Sequence, residues 1–533
     1  MALSGVLDAI LAVTTLTLRA AAVLFTRFHP LGRRYLNRIY GSTAAYLLCL
    51  FAKLFLSKPQ TTNRRRHPGL LLLLGLTDSK QPFLSFVTIF LNFLSLSAVW
   101  DFLYRSHYLH QSHDFSFARV GYVDEASARV VIRAPLDPLS HVEIQVSRDG
   151  ADDKNPLSQV IMVTEANDYT GTFFLDGLAP DTTYTYTTNA SHAGTFKTAE
   201  SHPKRWSLVS TSCIKPFYPY SPLDHGLRIR GLEHLDAHLA SRPAAVDMML
   251  FLGDFIYIDL PVALGWMPAH YTAAYRQVYA SPSWTPALRA LPWVHAYDDH
   301  EIINDWDAGE EASLYRAAMT PFRAYHSRAN PPSLTGGDGT YYVFRRGDVS
   351  FFVLDTRRYR SQAETADGPG KTMLGAAQLA DLEMWLASEQ AWKVVVSSVP
   401  FTRNWRGPDS ADSWSGYLWE RELVLDMMRR TDGVVILSGD RHEHATTLFP
   451  PKGDGDKPII EFSTSPLNQF YEPFDRFHKQ IEDTDVSVHS HPWGNSKFGV
   501  VSFDTSDDRR LRVDFELVVD GELTWNYTWA YER

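Results

Sequence analysis

Cysteine is nearly absent from this chain of 533 residues, which holds Cys49 inside an apolar segment and Cys213 just past an expected strand. The two fall on opposite sides of an expected membrane-to-domain junction. A disulfide between them is therefore not expected, and Cys213 reads as a free thiol with a chemical task or as a small buried hydrophobe. A basic surplus is also missing. With 51 Lys and Arg against 61 Asp and Glu the net charge is -10. No nucleic-acid binding is expected, because a phosphate backbone calls for a basic surface. Long uncharged runs are scarce. Only residues 83–100, FLSFVTIFLNFLSLSAVW, reach the length of a bilayer span without interruption. The runs at 6–25 and 39–56 are broken by Asp8 and Arg19 and by Lys53, and 70–76 is too brief to cross.

These runs predict a membrane region over 1–104 with two or three transmembrane helices, and hence an integral membrane protein. A cleaved signal peptide is the rival for the first run, and Arg19 inside it counts against that. One basic loop carries Arg27, Arg33, Arg34 and Arg38; another carries Lys58, Arg64, Arg65, Arg66 and Lys80. Three spans would put them on opposite sides. With the denser second cluster cytosolic, the rest of the chain is lumenal or extracellular, and sequons at Asn189 and Asn526 are compatible with that.

From 115 to 200 the pattern changes to short alternating runs rich in Val, Thr and Tyr, separated by Gly, Asp, Asn and Pro. That spacing predicts a β-sandwich. The stretch from Leu178 to Tyr184 resembles the corner segment of fibronectin type III domains, in which a tyrosine braces the turn.

After Trp206, apolar strands alternate with helical stretches, as in a sheet with helices on its faces. The run MMLFL at 248–252 stops at Gly253 and presents Asp254 and Tyr257. Ligands in such sheets sit beyond the carboxyl ends of strands. Three further strand ends deliver Cys213; the cluster Asp298, Asp299, His300, Glu301, Asn304 and Asp305; and Asp440 with His442. Thiolate, phenolate, carboxylate, amide and imidazole together suit a polynuclear site that pairs an oxygen-loving cation with a transition metal. A carboxylate such as Asp254 can bridge two ions about 3.5–4 Å apart.

Five motifs occur in one order: SCIK at 212–215, GDFIY at 253–257, DDHEIIND at 298–305, DTRRYR at 355–360 and SGDRH at 438–442. In these the chain resembles the PhoD-like alkaline phosphatases of the metallophosphoesterase superfamily, over roughly 115–504. The resemblance implies an α/β catalytic domain at 205–533, a metallophosphoesterase-type β-sandwich flanked by helices, preceded by a fibronectin III-like all-β domain at 115–200. It implies more than one metal ion, Fe3+ and Ca2+, held by Cys213, Asp254, Tyr257, Asn304, Asp440 and His442. It places Arg316 as the arginine that grips phosphate, with Arg323 as the fallback on the same helix face. Asp299 and His300 would orient Asn304, contact the leaving group or protonate it.

The activity implied is hydrolysis of phosphomonoesters, phosphodiesters or both by in-line attack of a metal-activated water. Asp355 and Arg357 read as a buried ion pair under the site, and His489 and His491 as part of a loop near its mouth. Asp305 and Lys215 depart from the family pattern and would alter the charge near the substrate. The rival reading is a catalytically inactive membrane scaffold or receptor. Loss of Cys213, Asp254 or His442 would favour it, and all three are present.

Overall fold

The computed structural model describes residues 2–56, 66–135, 141–149, 156–307, 312–388, 391–407, 409–471, 478–480 and 484–533. These fall into two units. The first joins Met1–Gln111 to two later segments, Phe217–Gly226 and Leu260–Ala263; the second holds the remainder.

The first unit is helical: α1 (Ala2–Arg27), α2 (Gly32–Leu56), α3 (Pro68–Leu74) and α4 (Pro82–Leu109). Among the described residues two helices, α1 and α4, are long and apolar enough to cross a membrane. Helix α2 matches them in length, but Arg33, Arg34 and Arg38 occupy its first turns. Seven residues make α3 too short to cross.

The charges that interrupt the apolar runs are paired within this unit. Arg19 donates from Nε to Asn92 Oδ1 at 2.7 Å and from its two Nη atoms to the carbonyls of Leu72 and Thr88. Asp8 accepts from Lys53 Nζ at 2.6 Å and pairs with Arg66. At the other end, Arg27 donates to the Tyr220 carbonyl, Tyr220 N–H donates to the Thr26 carbonyl, and Tyr220 Oη donates to Asp101 of α4. Helices α1 and α4 therefore run in the same direction, with the basic cluster that begins at Arg27 at one end of the unit and Arg66 at the other. Lys58, Arg64 and Arg65 lie outside the described residues.

The second unit opens with two small antiparallel sheets. Strands β1 (Phe117–Val123), β2 (Ser127–Arg133) and β5 (Thr170–Asp176) form one in the order β1-β2-β5; β3 (His141–Arg148), β4 (Leu157–Met162), β6 (Thr183–Thr188) and β7 (Ala193–Lys197) form the other in the order β4-β3-β6-β7. Their inner faces share one core that includes Val130, Ile144, Phe173, Tyr186 and Phe196. Tyr184 Oη accepts the N–H of Ala179 at 2.8 Å.

The chain then runs through β8 (Arg205–Thr211), β9 (Met248–Leu252) and β10 (Trp293–Ala296), which are parallel to one another. Next come β11 (Tyr342–Arg346), β12 (Val349–Val353), β13 (Trp392–Val396), β14 (Val435–Ser438), β15 (His444–Phe449), β16 (Ile459–Thr464) and β17 (Val486–His491), which make a seven-stranded sheet. Finally β18 (Lys497–Asp504), β19 (Arg510–Val519) and β20 (Glu522–Glu532) return to complete the first sheet.

Alternation within single strands makes this a four-layer fold. Met248, Leu250 and Leu252 of β9 enter the core shared by the two sheets, whereas Met249 and Phe251 face the helices α5 (Arg230–Ser241), α6 (Pro268–Tyr279), α7 (Pro286–Ala290) and α8 (Ala312–Tyr325). On the other sheet Val394 and Val396 point inward, while Val395 packs with α9 (Gly375–Ala387) and α10 (Leu418–Arg429). Asp168 fastens the small sheets to the outer helices: it accepts from Arg133 of β2 at 2.9 Å, from Arg276 of α6 at 2.8 Å and from Tyr325 of α8.

Two expectations are corrected. His489 and His491 lie on strand β17, and His489 stacks on Trp525 with ring centroids 4.2 Å apart. Arg357 does not pair its side chain with Asp355. Asp355 accepts the backbone N–H of Arg357, while the guanidinium reaches Asp298 and Asp412.

Candidate metal centre

Each of four strands delivers a candidate ligand two residues beyond its carboxyl end: Cys213 after Thr211, Asp254 after Leu252, Asp298 after Ala296 and Asp440 after Ser438. Parallel neighbours share one end, so a common offset gathers the side chains. The turns that do this are strained. Cys213, Asp254, Asp440 and His442 all have left-handed backbones, with φ of 66°, 57°, 74° and 57°. A non-glycine residue held there costs on the order of 1–3 kcal/mol, and such residues collect at functional sites. Gly253 is required for a different reason. A Cβ on it would lie 2.6 Å from the Cβ of Asp298, so only glycine lets the Asp254 and Asp298 turns approach.

The ligand atoms converge. Cys213 Sγ donates to Asp254 Oδ2 at 3.4 Å, and Tyr257 Oη donates to the same oxygen at 2.9 Å. Tyr257 Oη also lies 3.0 Å from His442 Nε2. One set, Asp254, Asp299 and His300, has its ligand atoms within 4.8 Å of one another, and a second set, Asp254, Asp298 and Asp440, has the same property. Asp254 belongs to both, the position of a bridging carboxylate. Asp298 Oδ1 accepts from Arg357 and from Ser398 Oγ, yet Oδ2 is buried with no hydrogen-bond partner among the described residues. Asp440 Oδ2 is in the same condition. A buried carboxylate oxygen left unpaired is expensive unless a cation reaches it.

The electrostatics point the same way. Burial, and then the charges of Asp299, Asp298 and Glu301, push Asp254 well above the usual carboxylate range against the opposing pull of His300. Burial pushes Asp440 up as well, with Asp298 and Asp412 adding to it and Arg441 opposing. The thiol of Cys213 and the phenol of Tyr257 are raised by burial and by Asp254. Four acidic groups that resist ionisation beside one another would ionise beside a multivalent cation.

His300 is set apart from this group. Its Nδ1 lies 2.7 Å from Asp259 Oδ1, and its ring centroid is 4.1 Å from that of Tyr257. Burial would lower its pKa, but Asp259, Asp299 and Asp254 together hold it well above the usual imidazole value. Asp259 is a residue to which sequence reasoning gave no role; its signal was an acid five positions after Asp254 on the same turn. Asp299 accepts the N–H of His300 at 2.9 Å and of Asp305 at 2.5 Å. Asn304 is exposed, and its backbone N–H donates to Asp259.

Arg316 is exposed on α8, and among the described residues no carboxylate engages it; Arg323 reaches Asp338 at 3.5 Å. Two other arginines meet the acidic residues. Arg357 is fully buried against Asp298, Asp299 and Asp412, and Arg441 lies 3.7 Å from Asp440.

This fold, with acidic strand ends meeting at one edge, is shared with solved phosphatases. A solved structure of PhoD superposes with a TM-score of 0.61 at 20% identity, over 79% of this chain and 90% of that one. A purple acid phosphatase from yellow lupin seeds superposes with a TM-score of 0.54 at 15% identity, over 77% and 73%. The family model of the PhoD-like phosphatases matches residues 228–515, more than half of the sequence, and the chain belongs to that family. Alkaline phosphatase D of Bacillus subtilis is 28% identical in an alignment of 323 positions that covers 50% of this chain and 52% of the relative. The chain thus spans about half the length of the curated relative it matches.

Proposed function

We propose that this protein is a membrane-anchored, metal-dependent phosphatase that hydrolyses phosphomonoesters, phosphodiesters or both. The observation that carries this reading is the pair of buried oxygens on Asp298 and Asp440 that accept no hydrogen bond among the described residues and face a shared Asp254 at the strand ends. Thiol, phenol, imidazole and carboxylate on one side suit Fe3+, and carboxylate with amide oxygen suits Ca2+. In this reading Cys213, Asp254, Tyr257, Asn304, Asp440 and His442 hold the ions. Bound there, they would supply Lewis acidity toward phosphoryl oxygens and lower the pKa of water.

The chain's own residues supply the rest. Asp259 orients the His300 ring through Nδ1, which leaves Nε2–H to protonate the leaving oxygen. Asp299, bound to the N–H groups of His300 and Asp305, holds that turn in place. Arg316 grips the phosphate, because Arg357 is already committed to three carboxylates and a planar fork suits a phosphate.

The domains are assigned as a membrane region at 1–104, a fibronectin III-like sandwich at 115–200 and a phosphatase domain at 205–533. The sandwich assignment is supported by the Tyr184 hydrogen bond to its own chain, the feature of a tyrosine corner. The phosphatase domain is lumenal or extracellular, with the end of the helical unit that carries Arg66 on the cytosolic side.

The test uses the full chain in detergent, with metal content measured beside hydrolysis of a paired phosphomonoester and phosphodiester. Iron plus a second metal, with activity abolished in a Cys213→Ala, Asp254→Ala variant, is the expected result. A protein that stays metal-free and inactive after iron and calcium are supplied overturns the reading.

A further inference from the structure

A lysine with no part in the sequence motifs sits behind this centre. Lys497, the first residue of β18, is fully buried. Its Nζ donates to the carbonyl of Gly494 at 2.6 Å and to the carbonyl of His442 at 3.1 Å, and it lies 5.7 Å from the centroid of the Tyr471 ring. A lysine deep in a core keeps its place only when its hydrogen bonds are met. Here one of those bonds goes to the backbone of a candidate metal ligand.

That backbone needs holding. His442 has a left-handed φ of 57°, which an L-residue adopts only at a cost. Both of its peptide groups are engaged: its N–H donates to Ser465 Oγ at 2.7 Å, and its carbonyl accepts from Lys497.

The backbone of Lys497 connects the same region to the sulfur ligand. Its carbonyl accepts from Thr211 Oγ1 at 2.7 Å, two residues before Cys213. Its N–H donates to Pro466, in the loop that continues from Ser465. In that loop Leu467 N–H donates to the Ser212 carbonyl at 2.7 Å and Asn468 N–H to the Cys213 carbonyl at 3.0 Å. A closed chain of hydrogen bonds thus runs from His442 through Lys497 to Thr211 beside Cys213, and back through the 465–468 loop. Lys497 thus meets the His442 carbonyl through its side chain and the strand end that carries Cys213 through its backbone.

We infer that Lys497 is a positioning residue of the metal centre: by holding the His442 carbonyl while anchored to Thr211, it sets the separation of the imidazole and sulfur ligands. The inference rests on the reading of His442 and Cys213 as ligands. A residue that orients a ligand from behind typically changes metal affinity or activity by about 10–100-fold when removed.

The experiment compares the full-length wild type with Lys497→Met, which keeps the bulk and burial but cannot donate. Iron affinity is read by chelator competition, together with the visible band that a phenolate on ferric iron produces. Lys497→Met is expected to bind iron about 10–100-fold more weakly and to shift that band. Unchanged affinity and an unchanged band in a folded Lys497→Met protein overturn the inference.

Should Lys497→Met fail to fold, Thr211→Val decides, because it removes only the anchor behind Lys497. A weaker affinity and a shifted band support the inference there, and wild-type values refute it. His442→Ala separates the two levels of the argument. If it binds iron as wild type does, the ligand assignment fails; if it loses iron while the Lys497 variant does not, only the positioning role fails.

Discussion

The helical unit and the metal centre both bury charge, and they treat it in opposite ways. In the helices Arg19 meets an amide and two carbonyls, and Asp8 meets both a lysine and an arginine. At the strand ends Asp298 Oδ2 and Asp440 Oδ2 have no hydrogen bond among the described residues, with only Arg441 3.7 Å from Asp440 Oδ2, and Asp254 crowds against both. A polar group that interrupts a long apolar helix is tolerated because its bonds are closed internally. A carboxylate pair whose buried oxygens accept no hydrogen bond among the described residues destabilises the metal-free fold. The comparison separates polar groups that hold structure from polar groups that wait for a ligand, and three substitutions can break it.

The largest effect is expected at the open group. Asp440→Asn removes the charge and keeps the shape. Activity should fall by more than about 100-fold, the upper end of what losing a residue behind a ligand costs. The metal-free protein, by contrast, should gain stability.

The pH dependence gives the sign. Burial raises Asp254 and Asp440 above their unfolded values, so the stabilising protonated form is complete below a carboxylate's usual pKa of about 4 and is lost as pH rises through the raised folded values. Metal-free wild type should therefore melt at progressively lower temperature as pH climbs above that point, and Asp440→Asn should show a shallower decline. Metal at a hundredfold excess over its dissociation constant should restore about 2.7 kcal/mol to the wild type alone. Equal pH slopes in the two metal-free proteins would mean that Asp440 is not an open charge.

The next effect belongs to the closed neighbour of that group. Arg357 is fully buried and meets Asp298, Asp299 and Asp412 at once, so Arg357→Met takes the paired cation from Asp298 and Asp299 and leaves Asp412 with Arg360. Removing one partner of a buried ion pair costs about 3–5 kcal/mol. Denaturant unfolding should register that loss in the metal-free protein, where Asp440→Asn gains. A neutral Arg357→Met would place Arg357 among dispensable charges and dissolve the distinction between the two groups.

How much of this was legible beforehand follows from chain distance. The strand at 248–252 was readable to the residue, because an apolar run buried on both faces and halted by glycine has few other solutions. The same logic found the ends that present Cys213, Asp254 and Asp440. No strand was foreseen over 486–532, where β20 carries exposed polar residues such as Asn526 and Thr528 along its outer face, and the short apolar runs of β18 and β19 are interrupted by polar residues such as Ser502 and Asp514. The partner of Arg357 was misread for a related reason. Asp355 is two positions away and invites a local pair, whereas Asp298 is 59 positions away and is brought close only by the packing of the two sheets. His489 and His491, set among serines and a proline, resembled a loop, but pairing with β15 and the stack on Trp525 make them an edge strand.

The smallest effect is expected where the closed bond is neutral. Tyr184 donates no charge to anything; its hydroxyl accepts one backbone N–H, from Ala179, at the turn entering β6. Such a bond contributes about 0.5–1.5 kcal/mol net. Phenylalanine keeps the ring, which lies 5.4 Å from that of Phe196 in the shared core. Tyr184→Phe should therefore cost about 1 kcal/mol in the thermal or denaturant unfolding of the second unit, with metal content and activity unchanged. The three substitutions then form a series: an open charge whose removal stabilises the metal-free fold, a closed charge whose removal costs several kcal/mol, and a closed neutral bond whose removal costs about one. A loss at Tyr184 as large as that at Arg357 would mean that the corner braces far more than its own hydrogen bond, and that the small sheets are a mainstay of the phosphatase fold.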